Sequence, residues 1–331
     1  MSLLSTLAGF LRPAPVTAPD AATRQALARV LELVDPLLAN TRGFERTLMA
    51  PVAHALSYCE QMVNALPGPL KVERHAFASD PLVHALFATG DDIDQMLGKS
   101  QAVRDFLDDI ESRSAVHFYA LFAARRVEKR QLGVEVHGET VQSDVPQTVL
   151  YFADHTLTEP AASIEAARAR LREATFASLL KTFHAHLSEL RAERDGVRSN
   201  LSAGRAHLSV LRSKGIGEQV VVQTRHIEVL DRRLREVAGS LMSEPVLHAL
   251  AAFLAVPEQS LSLEPCKLKV DRMGVLAADD AAAAHADTLE FPELIARDRR
   301  RYLVTLARIE CDEARRSVKD AIDRQRRFIV I

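Results

Sequence analysis

Tryptophan is absent and aromatic side chains make up only 5% of the 331 residues, while alanine and leucine are plentiful. That mixture favours helix over sheet. Cysteine is scarce: Cys59, Cys266 and Cys311 are far apart, odd in number and without C-x-x-C spacing. They argue against a disulfide framework or a zinc site and for a reducing compartment. Net charge is nearly missing, since the formal value of −2 sets up no global field for nucleic acid or an anionic membrane. No run approaches the ~18 apolar residues of a membrane span. Residues 1–11 are apolar but lack a leading basic residue and a long apolar stretch, so they do not read as a secretion signal. The expected location is the cytoplasm.

Chemical motifs are missing as well. There is no G-x-x-x-x-G-K-[ST], no G-x-G-x-x-G, no G-x-S-x-G and no H-E-x-x-H. The common nucleotide-dependent classes are thereby removed. No cofactor is expected, and no cluster has metal-ligand spacing. His184 and His186 lie two apart, about 200° around a helix, whereas chelation needs i, i+4.

What is present is a long helical seam. Phe176, Leu180, Phe183, Leu187, Leu190, Arg194, Val197, Leu201, Gly204, Leu208 and Leu211 step by four and three, as does the run Val220, Gln223, Ile227, Leu230, Leu234, Val237 and Leu241. This is the spacing of a helix that packs along another helix. Ser213-Lys214-Gly215-Ile216-Gly217 between them permits a tight reversal. The pattern predicts antiparallel helices over 161–212 and 218–242, the first roughly 78 Å long if unbroken from residue 160.

The rest of the chain divides around that seam. Residues 1–19 read as an N-terminal segment and linker, in which Leu3, Leu4, Leu7 and Leu11 share one side of a short helix expected to dock. Residues 20–113 read as a helical bundle. Asp20 starts one helix, a second spans 44–66 with a kink or restart expected at Pro51, and Asp80-Pro81, Gly90-Asp91 and Ser100 open three short ones. Residues 114–158 form a first β-containing segment. Leu132, Val134 and Val136 alternate with polar residues, Gly138-Glu139 suits a hairpin turn, and 148–152 is rich in β-formers. Residues 159–257 hold the coiled-coil hairpin, opened by Glu159-Pro160. Residues 258–331 form a second β-containing segment with a C-terminal helix. Periodicity leaves 117–128 and 302–309 open between strand and helix. The fold class is therefore α+β and predominantly helical: an N-terminal bundle, a small antiparallel sheet joining both β-containing segments, and a long antiparallel coiled-coil hairpin inserted in it.

Candidate residues follow from this layout. Asp154-His155 ends a predicted strand, where a sheet would hold an acid and a base rigidly; adjacent strand residues point to opposite faces, which favours a turn-forming role. Eight acids in 80–112 and eleven Arg or Lys in 294–331 suggest an intramolecular match, with Arg299, Arg300 and Arg301 the candidates for phosphate-backbone contact. The acids at 91–94 and 105–109 read as caps and solvated groups rather than a metal site. The apolar terminus Phe328-Ile329-Val330-Ile331 suits a sheet edge or groove. Because the first helix of the seam outruns the second, Phe176, Leu180, Phe183 and Leu187 need further cover, from the bundle or from a second chain. The leading expectation is a non-enzymatic cytoplasmic interaction or scaffolding protein that binds a protein partner or a second copy through the coiled coil. One alternative is a nucleic-acid-associated protein using the Arg-rich C-terminal segment, against which the balanced charge argues. The other is a hydrolase with Asp154 and His155 at its site.

Overall fold

The computed structural model describes residues 21–137, 140–271, 273–277, 286–296 and 300–329. The expected helix at Leu3 to Leu11, the Gly138-Glu139 turn, most of the alanine-rich tract 277–286, Arg299 and the last two residues lie outside them. The chain is mixed helix and sheet, mostly helical. In chain order it runs α1 (Ala21–Leu33), α2 (Phe44–Ala65), β1 (Leu70–Lys71), α3 (Arg74–Ser79), α4 (Pro81–Leu86), α5 (Gly90–Lys99) and α6 (Gln101–Asp108). It continues with β2 (His117–His137), β3 (Thr140–Ala161), α7 (Ile164–Lys214), α8 (Gly217–Ser240) and α9 (Ser243–Leu254). It closes with β4 (Leu261–Val270), β5 (Asp287–Ala296), β6 (Arg301–Glu310) and α10 (Cys311–Ile329).

These elements form two compact units. One combines residues 21–56 with 180–255, the other residues 57–179 with 256–329. The expected bundle 20–113 is thus divided, because α2 and α7 each supply residues to both units. Local periodicity shows that a helix face is apolar but not which element covers it.

The first unit is all helical. Asp35 caps a 3-10 turn at Pro36–Asn40, its side chain accepting from the Leu37 N–H, which leaves Leu38 1% exposed. Leu48, Val52, Leu180, Leu247 and Leu250 are buried, and the Phe183 and Phe253 rings lie 5.4 Å apart. Pro51 sits inside α2 without ending it.

The second unit is built on one sheet, in the order β3-β2-β6-β5-β4, with the two-residue β1 pairing parallel to β6. The other pairings are antiparallel. Residues 117–128 and 302–309, left open by periodicity, are strands. In β6, Leu303, Thr305, Ala307 and Ile309 face one side, Val304 and Leu306 the other, and all are buried. The odd side meets α3–α6 and the large apolar core that includes Phe118, Phe122 and Phe291. The even side meets Val63 and Leu66 of α2 and Leu171 of α7. A strand covered on both faces reads as a continuous apolar run, which hides its period of two.

β3 is longer than expected. Residues 153–161 are strand, and α7 starts at Ile164 rather than at Glu159-Pro160. Three register shifts along the β2–β3 pair coincide with Asp144, Asp154 and Glu159, at φ 61°, 53° and 53°. Each adds one residue to β3, so these are β-bulges with a left-handed residue, and they increase the local twist. The curl lets the sheet's outer edges meet. After β4 the chain turns back, the Leu150 N–H donates to the Gly274 carbonyl at 2.8 Å and the Leu276 N–H to the Thr148 carbonyl at 2.9 Å. Gly274 has φ +82°, and a Cβ there would lie 2.9 Å from the Leu150 carbonyl oxygen, so glycine is required for this closure.

The short helices start where their caps predict. Asp80 accepts from the Leu82 and Val83 N–H groups, Thr89 and Asp92 form a reciprocal capping box, and the Ser100 hydroxyl accepts from Val103. α10 packs on α5 at Gly98, where the Ser317 hydroxyl donates to Asp94 at 2.9 Å. The helices meet as the charge pattern suggests, but Asp91 and Asp94 take their ion pairs from Arg74.

Candidate functional site

Within the first unit, α7 and α8 share an apolar contact. Leu201, Leu208 and Ile227 are buried together, with Val220, Leu230 and Leu234 against them. Gly204 permits close approach, its carbonyl accepting from Gln223 Nε2 at 3.2 Å. Arg205 pairs with Asp231 at 3.1 Å and Arg233 with Glu193 at 2.5 Å. Between the two helices Gly215 has φ +69°. Beyond the contact, Val210, Val221, Val222 and Val229 stay exposed, by 48% to 64%. Residues 196–232 carry Arg198, Arg205, Arg212, Lys214, Arg225 and Arg232 against only Glu218, Glu228 and Asp231. This stretch of α7 and α8 therefore combines exposed apolar side chains with an excess of basic residues.

The residues expected to seek a partner are not on it. Phe176, Leu180, Phe183 and Leu187 are at most 3% exposed. Their own chain covers them, so they are core. His184, on the same stretch, has Nδ1 3.0 Å from the Val34 carbonyl oxygen, a structural contact.

Asp154 and His155 do not converge. The bulge turns Asp154 outward, where it accepts from Arg125 Nε at 2.6 Å. His155 points inward, with Nε2 2.6 Å from the Leu86 carbonyl oxygen and its ring stacked 4.7 Å from Phe87. Burial pushes its pKa below the usual histidine value. The hydrogen bonds go to a strand neighbour and to α4, not to the turn before Pro160. Among the described residues neither side chain is hydrogen-bonded to a nucleophile.

A second arrangement lies at one end of the sheet. Ala124 pairs with Leu303, and Glu293 also pairs with Leu303. Arg126, Glu293 and Arg301 therefore share the core face, as does Cys266 opposite Phe291. Glu293 is 2% exposed. It accepts from Arg126 Nη1 at 2.6 Å and from Arg301 Nη1 at 3.3 Å. Glu128 Oε1 accepts from Nε and Nη2 of Arg126 at 3.0 and 2.6 Å. Arg125, Arg126, Glu128, Arg300 and Arg301 line a cleft of about 460 Å³. Arg301 is thus engaged by a buried carboxylate, and Arg300 stands at the cleft. The sequence held no local signal for Arg126 and Glu293, which are 167 positions apart.

Among the described residues, one group has metal-ligand proximity. Carboxylate oxygens of Glu73, Glu310 and Glu313 lie within 4.8 Å of one another. Glu313 accepts from the Arg74 N–H at 3.0 Å, and burial raises its pKa. The cysteines carry no reactive thiolate signal. Burial pushes Cys59 up to about 12 and raises Cys266 and Cys311. Among the described residues no single helix is long and apolar enough to cross a membrane.

Comparison with known proteins finds no matching family model, no matching curated protein and no matching solved structure.

Proposed function

We propose that the protein is a non-enzymatic interaction module, and that α7 and α8 act as an antiparallel coiled-coil hairpin that docks a protein partner. The observation that carries this reading is the exposed surface of Val210, Val221, Val222 and Val229 among the excess arginines and lysines of residues 196–232. Contacts between the helices support the hairpin: Gln223 meets Gly204, and further along α8 Arg233 meets Glu193, further back along α7. An opposite order of partners is what antiparallel packing produces. Solitary exposed apolar residues need no explanation, but several on one helix pair mark an interaction surface. Charge complementarity selects an acidic amphipathic helix as the occupant, its apolar stripe on the valines and its carboxylates on Arg225 and Arg232. The reading keeps the cytoplasm as its setting, supported by the three free thiols.

The test is affinity capture with the full chain and with Val222→Glu/Val229→Glu, followed by identification and reciprocal capture of what is retained. A partner held by the parent and lost by the variant, with an acidic amphipathic segment, is the expected result. Equal retention by both refutes the reading. Self-association of the parent that the variant abolishes would make a second copy the occupant instead.

A further inference from the structure

We infer that the arginine-lined end of the sheet in the second unit binds a phosphorylated small molecule. Glu293 is 2% exposed and the Arg126 side chain 14%. Burying such a pair costs desolvation that its attraction roughly repays, and well-packed apolar residues serve stability as well or better. The neighbours on that face, Phe291 and Leu303, show that the position could have continued the apolar core. Glu293 instead fixes the guanidinium groups of Arg126 and Arg301 from beneath, on rigid strands.

The donors above Glu293 exceed what the carboxylates use. Arg301 reaches Glu293 through Nη1 only, and its side chain is 52% exposed toward solvent. An arginine fork offers more N–H donors than one such contact occupies. On Arg126, the Nε–Nη2 edge is held by a single oxygen of Glu128, whose side chain is 39% exposed. That edge is the geometry which grips a carboxylate or phosphate through two parallel bonds. Glu128 therefore occupies the place an incoming oxyanion would take, and it is exposed enough to swing aside.

Charge and shape narrow the ligand. Three guanidinium groups (Arg125, Arg126, Arg301) are matched by three carboxylates (Asp154, Glu128, Glu293), so displacing Glu128 leaves an excess of positive charge for an anion to meet. A phosphate has enough oxygens to meet two forks at once, whereas one fork satisfies a monocarboxylate. The volume of about 460 Å³ suits a small molecule. Among the described residues no aromatic side chain lines the cleft, so they offer no stacking platform of the kind that holds single-stranded nucleic acid.

Isothermal titration of the full chain with inorganic pyrophosphate tests this, at neutral pH and fixed ionic strength. Saturable binding is expected, with sodium sulfate weaker. Arg301→Gln should weaken it by about tenfold or more, the scale of one or two charge-assisted hydrogen bonds. Glu128→Gln should tighten it, because the competing carboxylate is gone; a site using Glu128 to hold a cation would respond the other way. Both side chains are solvent-exposed, and unchanged melting curves will establish that the variants fold. Absence of saturable heat, or equal affinity in parent and Arg301→Gln, overturns the proposal. So does an oligothymidylate strand that binds with Arg301 dependence when pyrophosphate does not, which would make the surface a nucleic-acid site.

Discussion

Replacing glycine by alanine at two helical positions should change stability in opposite directions. In α5, Gly98 is buried, and a Cβ there would lie 2.7 Å from the Ser317 carbonyl oxygen and 2.8 Å from Ala321 Cβ. Neither obstacle is the end of a flexible side chain, so α10 itself has to move. Overpacking of this kind costs about 1–3 kcal/mol. Alanine returns up to ~1 kcal/mol of helix propensity, and less here because Gly98 sits in the last turn of α5. The net expectation for Gly98→Ala is a loss of about 1–2 kcal/mol. In α7, Gly196 has nothing within 4 Å of the added Cβ, and Gly196→Ala should gain about 0.5–1 kcal/mol. Urea titration of the full chain measures both. Tryptophan is absent, and the four tyrosines (Tyr58, Tyr119, Tyr151, Tyr302) all belong to the second unit. Tyrosine fluorescence therefore follows that unit, while circular dichroism at the helix band follows both. Gly98→Ala should lower the midpoint seen by fluorescence. Gly196→Ala should raise the midpoint seen by circular dichroism. A Gly98→Ala chain as stable as the parent, with an unchanged slope, would refute the close α5–α10 packing.

Two titrating side chains give further expectations. Burial holds the His155 pKa below the ordinary 6.5, so the unfolded chain binds its proton more readily. The contribution is therefore complete above that pH and lost as the pH falls. His155→Asn should cost about 1 kcal/mol above pH 7 and flatten the acid limb of stability against pH, which denaturant melts across pH 5–8 will read. Burial raises the Glu313 pKa above the ordinary 4.5, the opposite sign: its contribution is complete below 4.5 and lost as the pH rises. Glu313→Gln keeps an acceptor for the Arg74 N–H and should be more stable than the parent at neutral pH, with the gap closing in acid. A parent more stable than this variant at pH 7 would show that burying the Glu313 carboxylate carries no net cost.

Much of the fold was legible because its signals are local. The helices that follow Asp80-Pro81, Gly90-Asp91 and Ser100 have side-chain oxygens of Asp80, Asp92 and Ser100 meeting free N–H groups, and those residues stand in the sequence at the helix starts. In β4, Cys266, Leu268 and Val270 alternate with Lys267 and Lys269, a strand signal carried by the sequence itself. What depends on distant partners was not legible. β2 and β6 are covered on both faces and lose the alternation that marks a strand. β3 keeps its pairing through three bulges, so its true end at Ala161 lies past the Glu159-Pro160 pair that resembles a helix start. Phe176 and Leu187 have the same spacing whether a partner or their own chain covers them. The arginine-lined cleft was invisible for the same reason: Arg125 and Arg126 come from β2, Glu293 from β5 and Arg301 from β6. In the run 299–301, Arg301 is engaged partly by Glu293, and Arg299 lies outside the described residues.

The proposed docking of a partner helix on the exposed valines and basic residues of α7 and α8 has a direct readout. Hydroxyl-radical footprinting of the full chain, alone and bound to the partner recovered by capture, tests it at the side chains themselves. Val210, Val222 and Val229 should lose reactivity in the complex, while Leu132 and Tyr151, which are exposed in the other unit, should keep theirs. Valines that oxidise equally in both states would contradict the claim, whatever else the complex protects.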